Sequence, residues 1–144
     1  MTTTRQHFVN GKTIHGRSER WGKVFNPATG EISATVSLAS ADETRSAIRA
    51  AREALPGWAA TTPLRRARIL FRFRELVEKH MSELAALITM EHGKLLSDAE
   101  GEIVRGLEVV EFACGIPHLL KGEHSENVGT NVDSWSLRQP LGVC

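Results

Sequence analysis

In VFNPATGEISATVSLASADETRSAIRAAREAL, residues 24–55, the spacing of apolar side chains changes from every second residue to every third or fourth. Before the change, Ile32, Ala34 and Val36 alternate with polar residues, as a strand with one covered face requires. After it, Ala47, Ile48, Ala51, Ala54 and Leu55 form the stripe of an amphipathic helix. Ser40 and Glu43 stand at the boundary with the spacing of a capping box, in which each side chain satisfies an amide that the helix start leaves open. Pro27 to Gly30 predicts a turn joining Val24-Phe25 to the strand, and Pro56-Gly57 predicts the end of the helix. Both periods in one stretch mean an α/β chain.

Working outward, HFVNGKTI at residues 7–14 puts Asn10-Gly11 between two short runs. That pair is a strong local hairpin signal, because both central residues of a type I′ turn need positive φ. Residues 7–36 therefore read as a small antiparallel set of β-hairpins. Residues 40–121 read as helices. Thr62-Pro63 supplies a cap and a first-turn proline, with Leu70, Phe73, Leu76 and Val77 on the expected buried side and Arg65, Arg66, Arg72 and Arg74 on a solvated one. A third helix carries Leu84, Leu87 and Ile88 and stops at Gly93, where a residue without Cβ takes the left-handed conformation. A fourth starts near Ser97 and runs to Pro117. LKGEHSENVG, residues 120–129, reads as a polar loop, and residues 130–144 as an extended segment with Trp135 and Leu137 on the packed face. The strands at the two ends are too short to cover four amphipathic helices, so the order suggests an α/β protein that continues past residue 144.

Composition narrows the partners. At 144 residues, roughly two thirds of the unfolded surface can be buried without disulfides. Lys+Arg 18 against Asp+Glu 17 gives a net charge of +1, which recruits neither nucleic acid nor an anionic membrane. Nothing approaches the roughly 18 consecutive apolar residues of a membrane span. Cys114 and Cys144 have no framework spacing, and the N-terminus has neither a secretory nor a mitochondrial leader pattern. The expected compartment is the cytoplasm.

Little catalytic chemistry is on offer. Cys144 has no base beside it in the sequence, and Cys114 falls on the apolar stripe Ile103, Leu107, Val110, so neither reads as a nucleophile. His7, His15, His80, His92, His118 and His124 form no metal-ligand spacing with the cysteines. No GxGxxG, GxxxxGK[ST] or GxSxG motif is present. Gly101 and Gly106 inside a helix hint at close packing against a neighbour or ligand. Arg105 stands apart: it lies opposite the stripe of its helix, among Val109 and Phe112, so the helix reads as covered nearly all round. A covered guanidinium must be paired. The partner is either a carboxylate of the protein such as Glu102 or Glu108, which the residues alone favour, or the carboxylate of a ligand, which the planar donor fork suits.

Read together, FVNGKTIHG, VFNPATGEISATV, RRARILFRF, ELAALITMEHGK, AEGEIVRGLEVVEFACG and PLGVC resemble the start of aldehyde dehydrogenases. The blocks RRARILF and GEIVRGLEVVEFA are similar to one branch, the CoA-acylating methylmalonate-semialdehyde dehydrogenases. The resemblance spans residues 7–144. It implies residues 1–144 as an N-terminal segment of the NAD-binding domain: β-hairpins at 7–36, helices at 40–121, and the start of an oligomerisation strand at 130–144. It implies an incomplete Rossmann-like domain, since PLGV in the family runs on into a GI-x-PFNFP segment. The catalytic cysteine, the general-base glutamate and the cofactor-binding residues belong to the part that follows, so no catalytic, cofactor-binding or metal residue is expected here. NAD and coenzyme A are the cofactors of the family enzyme, with none expected on these residues alone. The substrate is a small semialdehyde and the assembly a homo-oligomer. The same resemblance associates the arginine of GEIVRG, here Arg105, with the substrate carboxylate, and so favours the ligand reading. It assigns no role to His92 or Lys94. The competing expectation is a non-catalytic helical assembly module built on the same scaffold.

Overall fold

The computed structural model describes residues 3–144. Five strands come first: β1 (Thr3–Arg5), β2 (His7–Val9), β3 (Lys12–Ile14), β4 (Trp21–Phe25) and β5 (Ile32–Ser37). Helices α1 (Ala41–Ala60), α2 (Pro63–Lys79), α3 (Met81–His92), α4 (Leu96–Cys114) and the short α5 (Ile116–Leu119) follow, then β6 (His124–Gly129) and β7 (Val132–Trp135).

The local signals act as their chemistry requires. Asn10 and Gly11 both take positive φ, 52° and 72°, and β2 pairs antiparallel with β3 across them, Val9 opposite Lys12. The turn from Pro27 closes with the Gly30 amide donating to the Asn26 carbonyl at 2.8 Å, and β4 runs antiparallel to β5. The set is not purely antiparallel, however. β1 joins the far edge of β5 in parallel, Thr3 opposite Ala34.

At the start of α1 the Glu43 amide donates to Ser40 Oγ at 3.3 Å, and the Ser40 amide donates to Glu43 Oε2 at 2.8 Å. The other carboxylate oxygen of Glu43 accepts the Arg17 amide at 2.7 Å, which ties the β3–β4 connection to the helix. These amide donors, first those of Ser40 and Arg17, hold the Glu43 carboxyl well down, at about 2 against an ordinary 4.5. A carboxyl depressed on folding stabilises the fold above its unfolded pKa and loses that contribution as pH falls toward the folded one. Melting temperature should therefore drop between pH 4.5 and about 2, and Glu43→Gln should flatten that part of the profile. An unchanged slope in the variant would exclude this linkage.

Helix α1 does not end at Pro56-Gly57. Proline removes one amide and crowds the carbonyl four residues back, but the following turn can still form. Here it does, ended by Thr61, whose hydroxyl donates to the Gly57 carbonyl at 3.0 Å and whose amide donates to Trp58. Thr62 caps α2 through the Arg65 amide. Gly93 closes α3 at φ 81° with its amide on Thr89, and the position its missing Cβ would take lies 3.0 Å from Pro27. Any other side chain at 93 would be strained and would press on Pro27 of the β4–β5 turn, which would have to shift slightly.

Burial departs furthest from expectation. The helical core is Ala85, Ala99, Ile103 and Leu107, with Val77, Met81, Leu84 and Ile88 packed around it. Phe73 and Leu76, read as buried, are exposed, as is Leu87 of α3, and α1 buries no residue. Conversely, Arg66 and Arg74 are half-buried rather than solvated. Arg74 bridges Glu78 at 2.7 Å and Glu111 at 2.8 Å, joining α2 to α4. The polar segment before residue 130 is strand β6, which pairs with β7, His124 opposite Trp135. Trp135 is 70% exposed and Leu137 is exposed too, because nothing among the described residues covers that face of the hairpin. Beyond Trp135 the chain has no regular structure.

The physical cause is area. A compact protein of 15.9 kDa exposes roughly 7,400 Å², whereas this chain exposes 11489 Å². The excess, about 4,000 Å², is several times one partner's share of a standard protein interface.

Candidate functional site

Helix α4 has two unlike faces. Ala99, Ile103, Leu107 and Cys114 are buried against the core. Arg105 is two residues past Ile103, about 200° round the helix axis, and it projects from the opposite side. Its neighbours there are Val109, 68% exposed, and Phe112, 70% exposed. The covered guanidinium expected from the sequence is thus uncovered within these residues, with exposed apolar and acidic side chains on either side of it.

Neither expected ionic partner is used. Among the described residues no carboxylate forms an ion pair with Arg105. Glu102, one turn before it, is held by Lys94, with Nζ 2.5 Å from Oε1. That contact is the first cause of a Glu102 carboxyl lying below its ordinary range, and the Arg105 charge is the last. Arg105 Nη2 instead sits 4.0 Å from where a Cβ of Gly101 would be. A side chain at 101 would make only an ordinary contact there, so no neighbouring element requires the glycine. Gly106 faces open space along an apolar groove of about 430 Å³, lined by Val77, Leu84, Ile88, Ile103, Leu107 and Val110.

Arg105, with Val109 and Phe112 beside it and Glu102 and Glu108 on its flanks, is therefore an exposed planar cation that makes no ion pair among the described residues. Covered by further protein, it would bind one carboxylate strongly and in a fixed orientation, through two parallel N–H donors. Lys94 is the residue that sequence reasoning passed over. Its signal was a lysine directly after a left-handed helix cap, where the chain turns back toward the next helix.

The remaining candidates are placed apart. Cys114 is buried on the inner stripe of α4, and Cys144 is exposed, its thiol turned to the Gly142 carbonyl. No group of three or more His, Cys, Asp or Glu among the described residues is arranged to hold a metal ion. Among the described residues no helix is long and apolar enough to cross a membrane.

The family model for the aldehyde dehydrogenase family matches residues 14–144. The malonate-semialdehyde dehydrogenase of Pseudomonas aeruginosa is 49% identical over 142 residues, covering 97% of this chain and 28% of that protein. Among solved structures, the methylmalonate-semialdehyde dehydrogenase of Oceanimonas doudoroffii superposes with a TM-score of 0.90 at 53% identity, over 98% of this chain and 28% of that one. A protein of Sinorhizobium meliloti 1021, assigned as a methylmalonate-semialdehyde dehydrogenase and crystallised with NAD, superposes with a TM-score of 0.93 at 49% identity, over 99% and 29%. The chain spans less than a third of the length of each of these relatives. With the family match running from the β4–β5 hairpin through the helices to the final strands, the chain belongs to the aldehyde dehydrogenase family.

Proposed function

We propose that this chain is the N-terminal segment of an NAD- and coenzyme A-dependent malonate- or methylmalonate-semialdehyde dehydrogenase, and that Arg105 binds the substrate's carboxylate. The observation that carries the reading is an exposed Arg105 on α4, beside Val109 and Phe112, that makes no ion pair among the described residues although Glu102 and Glu108 flank it. A semialdehyde of a dicarboxylic acid presents one carboxylate and one aldehyde. Fixing the first by a bidentate contact sets the direction of the second, which is the entropic part of catalysis that binding can supply. In this reading the hairpins at 7–36 and helices at 40–121 pack on a nucleotide-binding domain, and 130–144 begins an oligomerisation strand. NAD as hydride acceptor and coenzyme A as acyl acceptor are held by residues beyond this segment. Two free thiols without framework spacing support a reducing compartment, the cytoplasm.

The reading is tested by a chimaera in which this chain replaces the matching N-terminal segment of the Pseudomonas aeruginosa enzyme. The chimaera is expected to form NADH from malonate semialdehyde, NAD and coenzyme A. A folded chimaera that oxidises only uncharged aldehydes, or none, contradicts the proposal.

A further inference from the structure

Glu102 is the natural competitor for Arg105. An acid three residues before a base on a helix is a neighbour in the favourable order, and such pairs form readily. Glu108, three residues after Arg105, has the less favourable order and makes no ion pair among the described residues. Glu102 nevertheless points to Lys94, whose side chain is only 19% exposed against 46% for Glu102. Lys94 is held where it can do this by the residue before it. Gly93 holds φ 81° with its amide on Thr89, and a Cβ at this position would lie 3.0 Å from Pro27. The lysine thus leaves a defined turn and reaches across to α4.

We propose that Lys94 is a positioning residue for substrate binding: by holding Glu102, it keeps the Arg105 guanidinium free for the substrate carboxylate. The proposal rests on the reading of Arg105 given above. It assigns Lys94 no contact with substrate and no part in the chemistry. Its prediction is one of competition. With the lysine charge gone, Glu102 turns to Arg105, and the substrate must displace it.

The test uses the chimaera and compares malonate semialdehyde with propanal, which has no carboxylate. Lys94→Met is expected to raise KM for malonate semialdehyde about three- to ten-fold, with kcat and the propanal KM little changed. Adding Glu102→Gln to Lys94→Met removes the competitor and should return KM to within about two-fold of the starting value. Lys94→Arg, which keeps the charge, should resemble the unsubstituted protein. Lys94→Gln provides the same comparison should the methionine variant fail to fold. Equal KM increases for both aldehydes, or no recovery in the double variant, overturns the proposal and leaves Lys94 a structural residue. Failure of the underlying reading looks different. In that case Arg105→Leu itself would not distinguish the two aldehydes.

Discussion

Replacing Arg105 by leucine in the chimaeric dehydrogenase is expected to raise KM for malonate semialdehyde by roughly 30- to 150-fold, with far less effect on propanal. The magnitude follows from what is removed. Hydrogen bonds to a charged group contribute about 1.5–3 kcal/mol, and at a covered site the carboxylate would lose its countercharge as well. The asymmetry between substrates is the informative part. Propanal never made the contact, so its KM reports only what leucine does to the packing around Val109 and Phe112, the exposed apolar neighbours of Arg105 on α4. Leucine keeps much of the side chain's volume and its helix propensity, so that effect should be small. Steady-state kinetics with both aldehydes decides the matter. Equal losses would make Arg105 a residue of structure, not of recognition.

The second expected result is a complete absence of turnover by the 144-residue chain on its own. An aldehyde dehydrogenase thiol must be a thiolate at working pH, and that takes a base, a cation or a helix N-terminus beside it. Cys114 sits against the core on the inner stripe of α4, and the partner of Cys144 is a backbone carbonyl, which donates nothing. With these surroundings neither thiol is expected to serve as the nucleophile. Incubating the purified chain with malonate semialdehyde, NAD and coenzyme A should give no NADH above a blank, whereas the chimaera does. Sustained NADH formation by the chain would mean that a catalytic centre exists within these residues.

The parts of the fold legible in the sequence are those decided within a few residues. Asn10-Gly11, the Ser40–Glu43 box, Thr62-Pro63 and Gly93 each act through local sterics or a hydrogen bond to a near neighbour, and each holds in the structure. The parallel pairing of β1 with β5 was not legible, because it joins residues some thirty positions apart without a turn to announce it. Strand β6 was missed for a different reason. HSENVG has no apolar alternation, and its strand character comes from pairing with β7 rather than from a buried face. The exposed Phe73, Leu76, Leu87, Trp135 and Leu137 carry a further lesson. A periodic stripe shows that a face is apolar, not that the same stretch of chain covers it. The same distinction applies to Arg105. Its place beside Val109 and Phe112 was legible from the helical period, but the two acids beside it in sequence said nothing of their partners. Only the return of the chain at Gly93 brings Lys94 to Glu102.

We propose that these residues form one side of a larger hydrophobic interior. About 4,000 Å² of surface beyond that of a compact protein of this mass needs a complement. Exposed faces of this extent, together with open strand edges, drive association. Light scattering on the purified chain over a range of concentrations tests this most directly. Dimers or larger assemblies that grow with concentration are expected; a sharp monomer peak that persists at high concentration would contradict the account.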